Sequence, residues 1–198
     1  MSTLGAMRVD EMLAALAAKT PTPGGGAVAG ATGALACGLA GMVVAYSVGK
    51  KDLAAHRPRL EQASADLAAW RTEFLELADA DAAAYGKLNA LQKAGAPAGE
   101  IAAAVEAAVA VPASCVKRSV ELLRVCLELA PITNTYLRSD LAIAGILGES
   151  AARAGLWNVR VNTPLMADAD RRGILERECE GLAVEAAKLR NDVEAACR

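Results

Sequence analysis

Between Lys19 and Lys50 the chain carries no charged side chain. The stretch reads TPTPGGGAVAGATGALACGLAGMVVAYSVGKK, from Thr20 to Lys51, and is poor in large side chains. Gly26, Gly30, Ala34 and Gly38 lie four residues apart, and so do Gly33, Cys37, Gly41 and Ala45. On a helix these positions form two adjacent stripes of small residues, along which neighbouring backbones can approach closely. The spacing predicts a helix from about Ala27 to Val48, central among others. A transmembrane helix with small-residue packing would show the same stripes. Against that reading, glycine and alanine give little insertion energy, and no aromatic belt flanks both ends. The amphipathic segments elsewhere also need an apolar partner, and this helix supplies one. No membrane span is expected.

The rest of the chain bears the same stamp. Its 198 residues are 54% hydrophobic but only 3% aromatic, a bias that suits closely packed helices because alanine is the best helix former and takes little room. No run of alternating β-branched residues reads as a strand. The expectation is an all-α, single-domain helical bundle over residues 1–198, built round the Ala/Gly-rich helix. A short first helix with Val9, Met12, Leu13, Leu16 and Ala17 on one face should end near Thr20-Pro21. A third should run from about Pro58 to Lys93, and a fourth from near Glu100 to Ala130, kinked or restarted at Pro112. Ser139 is placed to cap a fifth, Asp140 to about Val161. The last should run from about Asp168 to the C-terminus.

Charge and cysteine usage narrow the function. The net charge is −2 with both signs dispersed, so no nucleic-acid groove is expected. The five cysteines show no C-x-x-C pairing and fall inside apolar helical patterns, which reads as small buried side chains in a reducing compartment. His56 is the only histidine, which disfavours a His-based zinc site or a Ser-His-Asp arrangement. The opening MSTLGAMRVDEM lacks the regions of a signal peptide, so a cytoplasmic location is expected.

Polar side chains interrupt two apolar seams. Leu60, Ala63, Leu67, Trp70, Phe74, Leu77, Asp81, Ala84, Leu88 and Leu91 alternate steps of three and four, so Asp81 sits where a core residue belongs. A buried carboxylate must be paired, protonated or faced with a polar cavity. It is either a structural cap or a general acid or base with a raised pKa. Asp79 should point away into solvent. In the fifth helix the seam of Asp140, Ala144, Leu147, Ala151, Ala154, Asn158 and Asn162 places two asparagines one turn apart. Asp140 also falls in the first turn, where the helix dipole alone would favour it. Lys50 and Lys51 suit the negative end of the second helix for the same reason. Pro23-Gly24-Gly25-Gly26 precedes a helix start, whose free N–H groups favour an anion or a carbonyl-rich ring; a plain flexible entry is the alternative.

Taken in order, these motifs resemble the cyclodeaminase/cyclohydrolase family of folate enzymes. The resemblance rests on Thr22-Pro23-Gly24-Gly25-Gly26, Val48-Gly49-Lys50-Lys51, Asp81-Ala82-Ala83-Ala84-Tyr85, Val111-Pro112, Asn134, Ser139-Asp140 and Asn158-Val159-Arg160-Val161-Asn162. It implies an all-helical homodimer with the folate site near the subunit interface, and no metal or cofactor beyond the tetrahydrofolate substrate. Asp81 would then be the proton shuttle, with Asp140 and Lys50 assisting. Pro23, Gly24, Gly25, Gly26, Lys51, Tyr85, Asn134, Ser139, Asn158 and Asn162 would bind the substrate. Hydrolysis of 5,10-methenyltetrahydrofolate is the first expectation, and cyclodeamination of formiminotetrahydrofolate the second. A non-catalytic helical interaction protein is the rival from another class. Thr133, Tyr136 and Leu53 depart from the family pattern, and Tyr136 is expected to narrow the pocket and hold a water.

Overall fold

The computed structural model of the chain describes residues 3–198. Among these residues there are six α-helices and no strand: α1 Val9–Ala17, α2 Gly25–Ala45, α3 Arg57–Lys93, α4 Ala98–Leu129, α5 Arg138–Asn162 and α6 Ala169–Ala196. Short 3-10 turns join several of them. α2 lies between α3 and α5, and α4 packs against α3, α5 and α6.

The small-residue stripes explain how α2 fits. A Cβ at Gly30 would stand 2.6 Å from the Phe74 carbonyl oxygen, and one at Gly33 would stand 2.5 Å from the Phe74 ring. α3 therefore touches the backbone of α2 itself, and glycine is the residue that permits it. The other half of the stripes does not pack this way, because nothing stands within 4 Å of a Cβ built at Gly38 or Gly41. Ala29, Ala36, Cys37, Ala40, Val43 and Val44 of α2 join Leu60, Leu67 and Phe74 of α3 in the main core. Leu122, Cys126 and Leu129 of α4 and Leu141 and Ala144 of α5 complete it. The apolar stripe of α6 closes the far side through Cys179, Ala186 and Leu189.

All five cysteines are free, four of them buried. Burial pushes the Cys37 and Cys115 thiols up to about 12, so they behave as small apolar side chains.

Several local expectations need correction. α4 does not restart at Pro112 but runs through it as one helix. Proline lacks the N–H that would bond the carbonyl four residues back, at Ala108. Asn162 of α5 replaces that partner: its Nδ2 donates to the Ala108 oxygen at 2.8 Å, in a buried position. α5 starts at Arg138, so Ser139 lies inside its first turn and caps nothing. The cap in this region is Asn134, whose Oδ1 accepts from Tyr136 N at 3.2 Å at the preceding 3-10 turn. α2 ends at Ala45, so Lys50 and Lys51 lie beyond its last turn, after Gly49 with φ +85°. Asp79 is not free in solvent: its Oδ1 accepts from Leu4 N at 2.7 Å.

Candidate active site

Asp81 sits on α3 directly above the first turn of α2. A Cβ added to Gly26 would lie 2.1 Å from the carboxyl carbon, which no side chain survives. Gly26 is therefore the seat of Asp81. The first turn of any helix has N–H groups without intrahelical partners, and here the one on Ala27 faces the Asp81 carboxylate and favours its charged form. Burial raises the Asp81 pKa above the ordinary carboxylate value, and the nearby Ala27 N–H partly opposes the rise. The result is a carboxyl held in place that exchanges its proton closer to neutrality than an exposed aspartate.

It faces a cleft of about 120 Å³ whose walls include Thr22, Gly24, Gly25, Gly26, Tyr85, Asn158 and Asn162. Asn158 stands beside Gly25, where a Cβ would be 3.5 Å from its Oδ1. Its Nδ2 donates to the Ala154 oxygen at 2.8 Å, which leaves that Oδ1 for a ligand. The Asn162 amide N–H₂ is engaged with Ala108, so this residue builds the wall of the cleft. Asn162→Ala would orphan a buried carbonyl and should cost about 1–3 kcal/mol. The urea midpoint should fall at unchanged slope; an unchanged midpoint would mean that water takes the place of the amide.

The residues named from sequence thus fall into two groups. Gly24, Gly25, Gly26, Asp81, Tyr85, Asn158 and Asn162 line one cleft, with Pro23 in the same loop behind a cis Thr22–Pro23 peptide. Lys50, Lys51, Asn134, Ser139 and Asp140 gather at the other end of α2. A helix of 21 residues is about 30 Å long at ~1.5 Å per residue, so within one protomer they do not meet Asp81. Ser47 holds that far end together: its Oγ donates to the Val43 oxygen at 2.7 Å and accepts from Asn134 N at 2.9 Å. Tyr136 belongs there too. It is 88% exposed, with the Lys50 ammonium 5.9 Å from its ring centre, and it does not line the Asp81 cleft of its own protomer.

Sequence reasoning missed Ala108 and Val161 as walls and Asp79 as a tether. The only signal for Ala108 was its place four residues before Pro112. Among the described residues, no three His, Cys, Asp or Glu side chains cluster as a metal site would.

Residues 8–181 match the family model described as formiminotransferase-cyclodeaminase. The methenyltetrahydrofolate cyclohydrolase of Methylorubrum extorquens is 30% identical over 91% of each chain. The crystal structure of formiminotetrahydrofolate cyclodeaminase from Thermotoga maritima matches with a TM-score of 0.92 at 27% identity, covering 97% of this chain and 96% of that one. With sequence and fold agreeing over nearly its whole length, the chain belongs to the formiminotransferase-cyclodeaminase family.

Proposed function

We propose that this chain is a folate-dependent one-carbon enzyme that hydrolyses 5,10-methenyltetrahydrofolate to 10-formyltetrahydrofolate at Asp81. The observation that carries the site is the carboxyl seated on Gly26, with a raised pKa and an open polar cleft before it. The methenyl carbon is the electrophilic centre of a cation, and an ionised carboxylate beside it is electrostatically favourable. Asp81 takes a proton from water as the oxygen bonds to that carbon. It then returns the proton to N5 as the C–N5 bond breaks, and the hydroxyl proton of the adduct leaves to solvent. The formyl group stays on N10, with one proton released overall. The proton transfers run through the carboxyl, so neither a metal nor a bound cofactor is called for.

The preference for hydrolysis rests on the cyclohydrolase relative matched along the chain. Tyr136 lies outside the Asp81 cleft of its own protomer, so within one chain it lends that preference no support. The solved cyclodeaminase relative keeps a second reaction in view: ring-nitrogen attack on a formimino carbon with loss of ammonia, using the same carboxyl. Purified protein should accelerate the loss of methenyltetrahydrofolate absorbance above the buffer rate, and release ammonia from formiminotetrahydrofolate more slowly. Faster ammonia release would transfer the assignment to cyclodeamination. Neither reaction, with no folate binding, would favour a helical interaction protein.

We further propose a soluble, cytoplasmic homodimer that engages neither nucleic acid nor membrane. α2 and α4 are long and apolar enough to cross a bilayer by length and composition, but each has packing partners in the bundle. The uncharged outer flank of α2 exposes Val28, Leu35 and Tyr46. Leu35, 63% exposed, is the midpoint of Gly25–Ala45. A two-fold axis through it would lay two copies of α2 antiparallel, each first turn beside the other's last. Lys50 and Asp140 of a second copy would then approach the Asp81 cleft, Lys50 suited to a carboxylate of the substrate's glutamate tail. Sedimentation in detergent-free buffer should show a dimer, and Leu35→Lys a folded monomer of much lower activity. A fully active monomer, or a need for detergent, would contradict this.

A further inference from the structure

The entry to α2 has three glycines in a row, with Gly24 at the N-cap and no side chain capping the turn. Glycine loses more conformational freedom on ordering than any other residue, so the local sequence does little to fix this entry. The hydroxyl bond in the loop before it is local too: Thr20 Oγ1 donates to the Thr22 oxygen at 3.0 Å. Behind Thr22 and Pro23 lies an apolar cleft of about 580 Å³, so much of the loop has no packing at its back. Yet Asp81 is seated on this turn, directly over Gly26.

One apolar cluster does hold the turn. Pro23 stands just before the cap and Val28 at the fourth helical position, a pair that fixes the angle of chain entry when the two pack together. Leu4, Met12 and Leu16 converge on them and on Ala27, leaving no space for a water. Met12 and Leu16 come from α1, which buries no residue fully. Leu4 comes from the arm before α1, and that arm has two fixings to α3. Leu4 N donates to Asp79 Oδ1 at 2.7 Å, and Gly5 lies on Leu75, where a Cβ would be 3.2 Å from Cδ1.

We propose that Leu4 and Asp79 are positioning residues for the reaction: Asp79 fixes the N-terminal arm to α3, and Leu4 on that arm braces the glycine turn beneath Asp81. The proposal rests on the reading of Asp81 as the proton carrier. Neither side chain lines the Asp81 cleft; both act through the placement of Gly24, Gly25 and Gly26 against the carboxyl. A misplacement of about 1 Å, caused far from the chemistry, can cost roughly a hundred-fold in rate.

The test pairs kinetics with amide hydrogen exchange. Val28 N–H donates to the Gly24 oxygen at 3.1 Å, so its exchange reports whether the first turn is formed. Leu4→Ala and Asp79→Ala should each lower kcat for methenyltetrahydrofolate roughly ten-fold, with a smaller change in KM. Both should speed exchange at Val28, while protection in α3 to α6 stays as in the wild type. Asp79→Asn keeps an oxygen acceptor for Leu4 N–H and should restore most of the activity. Leu13→Ala, at a position on α1 that is 57% exposed, should leave both readouts unchanged. Normal kcat in folded Leu4→Ala overturns the proposal, and so does a lower kcat with unchanged exchange at Val28. If Leu4→Ala does not fold, Asp79→Ala against Asp79→Asn decides by the same two readouts. A wild type that turns over neither methenyl- nor formiminotetrahydrofolate overturns the folate reading instead. Exchange at Val28 then decides the brace alone, and an unchanged rate in Leu4→Ala overturns it as well.

Discussion

Asp81→Asn should yield a folded protein whose turnover of methenyltetrahydrofolate is lower by roughly two orders of magnitude or more, the usual scale for a lost general acid–base. Asparagine preserves the shape over Gly26 and can accept the Ala27 N–H, but it cannot carry a proton. Stability provides an independent readout of the same carboxyl. Because burial raises its pKa, the native state binds more protons than the unfolded chain between the unfolded and folded pKa values. The stability associated with the protonated side chain is fully present below the unfolded value and is lost as pH rises through the folded one. Asparagine bears no such penalty, so the variant should match or exceed the wild type in melting temperature at neutral pH, and the difference should vanish in acid. Near-normal turnover in the folded variant would remove Asp81 from the chemistry. A large loss of stability at neutral pH would make it a structural cap of α2.

Phe74→Ala should be the most damaging single change to the fold. The ring is fully buried and lies on the backbone of α2 at Gly33, so truncation opens a cavity at the α2–α3 contact. Losses of about 3–5 kcal/mol are typical for such a site, and a chain of this length loses about 2–4 °C of melting temperature per kcal/mol. Gly33→Ala attacks the contact from the other side, because its Cβ would fall 2.5 Å from the ring. The two effects should be coupled: Phe74→Leu should recover part of the stability lost in Gly33→Ala, since the smaller side chain makes room. Additive losses would show that the ring and the glycine do not press on each other. The Asp81 seat lies two turns along the same contact, so Phe74→Ala should also lower activity before the protein unfolds.

The α3 seam was legible because three-and-four spacing reports which face a helix buries, and a carboxylate on that face is anomalous without any knowledge of its neighbours. The glycines of α2 announced a close helix contact, but not that Gly26 lies beneath Asp81. That relation depends on how far α3 slides along α2, which no local pattern encodes. The Pro112–Asn162 pairing was hidden for the same reason. Each residue was visible alone, yet the missing hydrogen bond in α4 is made good only by the packing of α5. Ser139 misled because it has the chemistry of a cap one residue after the helix begins. Lys50 and Asp140 were grouped with Asp81 by their motifs, whereas α2 holds them a helix length apart. Motif order carries no information about how far apart its residues lie in space. Tyr136 shows the limit of reading a substitution by size: a bulky residue narrows a pocket only if it points into one.

The most direct measurement is a crystal structure of the protein with 10-formyltetrahydrofolate bound. The formyl group and N5 should lie within hydrogen-bond reach of the Asp81 carboxyl, directly or through one water, above the first turn of α2. A ligand seated instead around Lys50, Asn134 and Asp140 of its own protomer, with the Asp81 cleft empty, would contradict it.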